Sequence, residues 1–310
     1  MNFADRLFAA VEEKQNPSVV GLDPRISQIP DSIKQDRVAK FGDTPQAVAA
    51  SFVAFNKKII DAIKGVVPAV KPQMAFYEAY GPYGIEAFQI TCKYAHDNGL
   101  VVIGDAKRND IGSTATAYAK AFLGEVKTIK GSATVHTLDA LTVNSYLGSD
   151  GVKPFVEEAK NGKGAFLLVK TSNPSSGELQ DRRLQEGTTV YEAMAKLVDK
   201  WGEEVVGARG YSSIGAVVGA TYPQEAARLR LLMPKAPILV PGYGAQGGGA
   251  DDTMPCFNDD GYGAIVNSSR GIIFAYQKKG GEFDVAAREA ALAMKKDLND
   301  ALMRKGIYPW

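Results

Sequence analysis

The feature that most constrains the fold is a repeated alternation of short apolar runs with helical patterns along the chain. Near-continuous apolar runs are typical of strands in a parallel sheet that is buried on both faces, and the alternation with helices indicates β–α units. We predict strands at Ser18–Asp23, Val66–Lys71, Leu100–Asp105, Ala140–Asn144, Ala165–Lys170, Ile214–Gly219, Ile238–Val240 and Ala264–Asn267. We predict helices at Thr44–Lys64, Gly84–Asn98, Gly112–Phe122, Asp150–Lys160, Thr188–Glu204, Pro223–Leu232 and roughly Asp284–Arg304.

About eight such units match an α/β fold of the (β/α)8 TIM barrel type, with a doubly wound open sheet as the alternative. No linker or low-complexity segment divides the chain, so we expect a single domain over residues 1–310. The longest polar insertions are Pro30–Gly42 and Asn173–Gly187, and Gly280-Gly281 is a turn before the last helix. Each insertion follows a predicted strand, which places it on the barrel face that carries active sites.

Charge and composition exclude several classes of protein. The 36 basic and 35 acidic residues are balanced, and no basic block indicates a nucleic-acid partner. The two cysteines, Cys92 and Cys256, suggest buried thiols in a reducing compartment. No apolar segment is long enough to span a membrane, and the N-terminus lacks the layout of a signal peptide. We therefore expect a cytoplasmic protein with no membrane association.

The most informative motif is Asp105-Ala-Lys107-Arg-Asn-Asp110-Ile111, which lies at the end of the third predicted strand. Side chains alternate along a strand, so Asp105 and Lys107 point to the same face. Asp110 follows where the chain has left the strand. One interpretation is a structural ion pair, with Asp110 capping the next helix. The other is chemistry, because buried charges are costly unless they are paired.

Other charged residues also lie at predicted strand ends, which favours chemistry. Strand one ends in Gly-Leu-Asp23-Pro, and strand two ends in Val-Lys71-Pro. In a barrel these ends converge on one mouth. Lys71, Asp105, Lys107 and Asp110 could then alternate in sign across one pocket, keeping a lysine protonated and placing a carboxylate against an anionic substrate.

The glycine run Gly242-x-Gly244-x-x-Gly247 matches a dinucleotide fingerprint by letter, but it occurs late and lacks the acidic residue that follows in that fold. A phosphate site fits better, because barrels often bind phosphate after strands seven and eight and Arg270 would supply a bidentate donor. The alternative is a flexible loop with a surface arginine. We interpret the two histidines, His96 and His136, as structural, and no cluster has metal-ligand spacing.

Taken together, these motifs resemble the orotidine 5′-phosphate decarboxylase family. The Gly-Leu-Asp23-Pro motif near the N-terminus and the length of the chain are similar to its longer bacterial subfamily. The motif Asp105-x-Lys107-x-x-Asp110-Ile111 resembles the family signature, which related sugar-phosphate decarboxylases share. The rest of the resemblance is carried by Gly-Leu-Asp23-Pro, Val-Lys71-Pro, Thr171-Ser172-Asn173-Pro, Pro-Gly-Tyr-Gly-Ala-Gln246-Gly-Gly and Ser-Ser-Arg270-Gly.

The resemblance implies decarboxylation of orotidine 5′-monophosphate to uridine 5′-monophosphate in pyrimidine biosynthesis, with no cofactor and no metal. It implies that Lys107 protonates pyrimidine C6 and that Asp105 sits near the substrate carboxylate. Its remaining implications are that Lys71 and Asp23 hold ribose hydroxyls, Ser172 the pyrimidine amide edge, and Gln246 and Arg270 the phosphate. It further implies a homodimer with shared sites, in which Asp110 and Thr114 reach into the neighbouring subunit's site.

Three alternatives stay open from the sequence. One is a metal-dependent sugar-phosphate decarboxylase of the same barrel group. Another is an aldolase that uses a strand lysine as a Schiff-base nucleophile. The last is a barrel that binds nucleotide without catalysis.

Overall fold

The protein is described by a computed structural model over residues 1–244 and 248–310. Its strands are β1 Ser18–Leu22, β2 Ala69–Pro72, β3 Val101–Arg108, β4 Val126–Lys127, β5 Ser132–Ala133, β6 Ala140–Val143, β7 Gly164–Lys170, β8 Ile214–Val218, β9 Ile238–Val240 and β10 Ala264–Ser268. Its helices are α1 Phe3–Lys14, α2 Asp31–Phe41, α3 Pro45–Ile63, α4 Met74–Glu78, α5 Gly81–Asp97, α6 Gly112–Phe122, α7 Ser149–Lys160, α8 Val190–Gly202, α9 Pro223–Leu232, α10 Ala250–Thr253, α11 Arg270–Ile273, α12 Tyr276–Lys279 and α13 Phe283–Lys305.

Eight of the strands close into a parallel barrel in the order β1-β10-β9-β8-β7-β6-β3-β2. The strands β4 and β5 form a separate antiparallel hairpin. Because every barrel pair is parallel, the carboxyl ends of all eight strands open at the same mouth. The prediction of a (β/α)8 barrel is confirmed, and each of the eight predicted strands overlaps one strand of the barrel.

The core has two parts. One lies between the barrel and its surrounding helices, where outward-facing strand residues such as Val20, Val70 and Val102 pack against the helices. The other fills the barrel interior, where Phe166 and Ile265 pack against side chains of α1. That helix buries Phe3, Leu7 and Phe8 and so closes the amino-terminal end of the barrel, leaving the carboxyl end for a site.

Among the described residues, six helices lie outside the predicted helical ranges: the longer α1 and α2, and the four- or five-residue helices α4, α10, α11 and α12. Helix α1 lies in the N-terminal stretch, for which the sequence analysis predicts no secondary structure. Helix α2 occupies the predicted polar insertion Pro30–Gly42; none of its residues is buried, so it lacks the apolar stripe by which a helix is recognised. The predicted turn at Gly280-Gly281 is present, with φ of 73° and 81°. None of the helices in the described ranges has the length and apolar character needed to cross a bilayer.

Candidate active site

A cavity of about 560 Å³ opens at the carboxyl ends of the barrel strands. This volume lies within the range of about 300–1,000 Å³ that is typical of small-ligand pockets. Six residues singled out from the sequence line it, namely Asp23, Lys71, Asp105, Lys107, Ser172 and Arg270. The barrel therefore gathers residues that are up to about 250 positions apart along the chain into one site.

Asp105 is the centre of the charged network on the cavity floor. Its Oδ2 accepts hydrogen bonds from Lys71 Nζ at 2.6 Å and from Gln73 Nε2 at 2.8 Å. Its Oδ1 accepts from Lys107 Nζ at 2.5 Å and from Thr142 Oγ1 at 2.9 Å. Both oxygens of this buried carboxylate are thus held by two donors each, which fixes its orientation.

The charge states in this network follow from its surroundings. Burial opposes ionisation of Asp105, but the positive charges of Lys71 and Lys107 outweigh burial and hold the pKa of this carboxyl well below its usual range. Burial likewise opposes the charged form of Lys71, and the carboxylates of Asp105 and Asp23 outweigh it, so the pKa of Lys71 is raised. At neutral pH the floor therefore carries a fixed carboxylate beside a fixed ammonium.

The two lysines differ in access to the cavity. The side chain of Lys71 is 6 % exposed, whereas that of Lys107 is 45 % exposed. Lys107 also has a left-handed backbone, with φ of 48°, at a shift in the register of β3 between Gly104 and Arg108. Such a conformation costs about 1–3 kcal/mol in a residue other than glycine and is concentrated at functional sites. With the larger exposed fraction, the ammonium of Lys107 is the more accessible of the two to a ligand.

The end of the cavity beside β1 and β10 holds polar atoms without partners in the described structure. Asp23 Oδ1 and Asn267 Oδ1 are both buried and accept no hydrogen bond from any described residue. Ser269 Oγ passes very close to the backbone of Gly21, where an added Cβ would lie 1.8 Å from it. Buried acceptors of this kind are costly unless a donor reaches them. Hydroxyl groups of a bound ligand could supply those donors.

The residues predicted to bind phosphate lie on the rim of the cavity. Arg270 begins α11, lines the cavity and forms no ion pair within residues 1–244 and 248–310. Gly242 and Gly244, after β9, have φ of 105° and 73°, a backbone that other residues rarely adopt. Gln246 lies outside the described residues, so its predicted phosphate contact stays a prediction.

Ser172 lies across the cavity, after β7, and its position is set by a glycine. An added Cβ on Gly219 would lie 2.8 Å from Ser172 Cβ, so only a glycine lets the two segments approach this closely. The predicted insertion that follows contains a short 3₁₀ helix, Pro174–Glu178.

Two predicted site residues are not among those that line the cavity of this chain. Asp110 lies in the loop before α6, where its Oδ1 accepts from the amide of Ile111 at 2.7 Å. It does not cap α6, whose N-cap is Ile111. Thr114 is exposed on the first turn of that helix.

The histidines and cysteines lie away from the cavity lining. His136 is buried against the ring of Phe122 at 4.7 Å, and His96 lies on the surface of α5, both away from the cavity. Cys92 and Cys256 are free and buried. In the part of the chain that is described, no three His, Cys, Asp or Glu side chains cluster closely enough to share a metal ion.

Sequence reasoning assigned no role to several polar residues that line the cavity, among them Arg25, Gln73, Thr142 and Asn267. Each lies at or just beyond a strand end, which was the signal available. Three of the four are uncharged, so the sequence alone does not distinguish them from ordinary polar residues at a strand end. Gln73 and Thr142 prove to be direct partners of Asp105.

A family profile, curated relatives and a solved structure all match this chain to the same family. The family profile "Orotidine 5'-phosphate decarboxylase / HUMPS family" matches residues 36–280. An orotidine 5′-phosphate decarboxylase of Rhodopirellula baltica is 47% identical over 294 residues, covering 94% of this chain and 93% of the relative. One of Caldicellulosiruptor saccharolyticus is 40% identical over 308 residues, covering 97% and 99%. The solved OMP decarboxylase of Leishmania donovani has a TM-score of 0.74 at 29% identity, covering 98% of this chain and 99% of that one.

Proposed function

This chain belongs to the orotidine 5′-phosphate decarboxylase / HUMPS family, and from that premise we propose that it is a carboxy-lyase that converts orotidine 5′-monophosphate to uridine 5′-monophosphate and carbon dioxide. The observation that carries the proposal is the carboxylate of Asp105 held between Lys71 and Lys107 on the floor of the cavity at the barrel mouth. The reaction needs a group that disfavours the substrate carboxylate and an acid that protonates the carbon left behind.

The network supplies both groups. With its pKa held low, Asp105 stays ionised and presents negative charge to a substrate carboxylate placed beside it. Loss of that carboxylate as carbon dioxide breaks the C6–C bond and leaves the electron pair on pyrimidine C6. Lys107, the exposed lysine of the pair, then transfers a proton to C6, and its neutral amine regains a proton from solvent. The ammonium also stabilises the developing negative charge before transfer.

The remaining cavity residues bind the parts of the substrate that do not react. We assign Asp23 and Lys71 to the ribose hydroxyls, Ser172 to the pyrimidine amide edge, and Arg270 with Gln246 to the phosphate. Two observations support this: Asp23 Oδ1 has no donor within the described chain, and Arg270 faces the rim of the cavity. Binding energy from the remote phosphate can be used to hold C6 against Lys107.

The same proposal includes a homodimer. Asp110 lies in the β3–α6 connection and Thr114 lies on the first turn of α6, both outside the cavity lining. Nearby apolar side chains are exposed, namely Ile111 at 57 % and Tyr146 at 75 %. A second copy packed on this surface would cover them and bring its own Asp110 toward the site.

The decisive experiment follows the absorbance of orotidine 5′-monophosphate after addition of purified protein, with and without a chelator. We expect conversion to uridine 5′-monophosphate at equal rates in both. Binding of the nucleotide without conversion would overturn the proposal in favour of a non-catalytic barrel. Activity lost with chelator would instead favour metal-dependent chemistry.

A further inference from the structure

Lys170 is a buried cation that the proposed reaction does not use. It is the last residue of β7, and its side chain is 0 % exposed. Lysine is almost never fully buried unless its charge is paired. The cavity is lined by its neighbours Leu168 and Thr171 but not by Lys170 itself, so its charge acts on the protein rather than on a ligand.

The ammonium of Lys170 contacts one carboxylate and two aromatic rings, which come from three different segments. Its ammonium donates to the carboxylate of Asp181, in the insertion after β7. It also lies over the rings of Tyr191, at 5.3 Å, and Tyr222, at 4.5 Å. Tyr191 belongs to α8 and Tyr222 precedes α9, so one buried lysine joins the insertion to both helices. Pairing and the two ring faces offset the cost of burying the ammonium.

The insertion that Asp181 anchors also holds the end of the strand. Gln180, the residue before Asp181, accepts from the amide of Thr171 at 2.9 Å and donates to Thr171 Oγ1 at 2.8 Å. Thr171 in turn donates to Asn173 Oδ1 at 2.6 Å. Anchoring Asp181 therefore also places Gln180 on Thr171, the immediate neighbour of Ser172.

Ser172 also rests against Gly219, the residue that follows β8. The amide of Gly219 donates to the carbonyl of Lys170 at 2.9 Å. An added Cβ on Gly219 would lie 2.9 Å from Ser172 Cα, so the backbone of Ser172 rests directly on this glycine. Ser172 is thus held between Gly219 and the segment that Lys170 anchors.

We propose that Lys170 is a positioning residue for base recognition: with Asp181, Tyr191 and Tyr222 it fixes the Thr171–Ser172 turn against the pyrimidine end of the substrate. The proposal rests on the function proposed above, because it takes Ser172 as the contact to the base. It assigns Lys170 no contact with ribose or phosphate, which Asp23 and Arg270 face at other strand ends. Recognition of the base should therefore depend on Lys170 while recognition of ribose phosphate should not.

The test compares two ligands on the substitution Lys170→Met, which keeps the length of the side chain and removes its charge. Asp181 is 47 % exposed and can be hydrated when its partner is lost. We expect the Kd for uridine 5′-monophosphate and the KM for orotidine 5′-monophosphate to rise about tenfold, as misplacement of a positioning group does. The Kd for ribose 5-phosphate should not change. The matched control is Lys163→Met, just before the other end of β7, where Nζ donates to Leu138 O at 2.7 Å; it should leave both Kd values unchanged.

Equal weakening of both ligands, or of neither, would overturn the proposal, since a purely structural role does not distinguish them. If Lys170→Met does not fold, Asp181→Asn at the half-exposed position must weaken uridine 5′-monophosphate selectively. A wild-type protein that binds both ligands but does not convert orotidine 5′-monophosphate would refute the proposed function and still allow the comparison of the two ligands.

Discussion

The ammonium of Lys107 lies 2.5 Å from Asp105 Oδ1, although only one residue separates the two along β3. Two such residues on a regular strand share a face about 6.6 Å apart. The left-handed backbone of Lys107 and the shift in register beside it fold the lysine back toward the carboxylate. Backbone strain here serves to place an acid next to a fixed negative charge.

Replacing Lys107 by Ala should remove the acid that protonates C6. We expect kcat/KM for orotidine 5′-monophosphate to fall about a thousandfold or more, because general acid catalysis is worth up to about 10⁴-fold and this ammonium also stabilises the carbanion. The control is Lys93→Ala, whose side chain is 67 % exposed and pairs with Asp97 on the helix surface. Retained activity in Lys107→Ala would remove Lys107 from the chemistry.

Thr142 contacts both the carboxylate of Asp105 and the left-handed backbone of Lys107. Its hydroxyl donates to Asp105 Oδ1 and accepts from the amide of Lys107 at 3.0 Å. Thr142→Val keeps the shape and removes both hydrogen bonds, so kcat should fall about tenfold while KM changes little. Thr142→Ser keeps the hydroxyl and should retain most of kcat; a Ser variant as slow as the Val variant would show that packing, rather than hydrogen bonding, matters.

Lys71→Met should change how the free energy of unfolding depends on pH. In the wild-type protein the lowered pKa of Asp105 contributes stability above its usual value of 3.8, which is lost as pH falls through the lower folded pKa. The raised pKa of Lys71 contributes stability at pH values below its usual pKa of 10.5, and that stability is lost only as pH rises through the folded pKa. Between these limits neither group titrates in the native protein.

Without Lys71, burial pushes the pKa of Asp105 upward, so the variant loses more free energy of unfolding at neutral pH than near pH 3. We expect a loss of about 3 kcal/mol at pH 7 from denaturant titrations, at the low end of the roughly 3–5 kcal/mol for a broken buried pair. The loss is at the low end because Gln73, Lys107 and Thr142 still donate to Asp105. Lys93→Met should cost less than about 0.5 kcal/mol. A loss that is the same at both pH values would contradict the assigned charge state.

The sequence predicted the barrel because its strands are buried on both faces and therefore read as apolar runs between amphipathic helices. It also placed Asp105, Lys71 and Lys107 near one another, since barrel strand ends must converge. It could not predict that one carboxylate would bind both lysines, because that contact depends on a local shift in the register of β3. The anchoring of Lys170 was likewise hidden, since Asp181 lies in an insertion with no periodic pattern.

Gly21→Ala tests how closely β1 and the end of β10 must approach. The new Cβ would lie 1.8 Å from Ser269 Oγ and 3.3 Å from Asp23 Oδ1, so Ser269 and the adjoining Arg270 must move. We expect KM to rise about tenfold with a smaller change in kcat, because the affected groups bind rather than react. Gly65→Ala, where an added Cβ meets nothing within 4 Å, is the control. An unchanged KM would show that this end of the cavity does not contact the substrate.

Mixing two inactive variants tests whether Asp110 acts across a dimer. If each site uses its own Lys107 and the partner's Asp110, a heterodimer of Lys107→Ala with Asp110→Ala contains one intact site and one doubly impaired site. Equal amounts that exchange subunits freely should then regain about a quarter of wild-type activity. The measurement is the orotidine 5′-monophosphate assay before and after mixing, with each variant alone as the control. If Asp110 serves its own chain, every site carries one substitution and mixing restores nothing, so absence of recovery in subunits shown to exchange would refute the shared site.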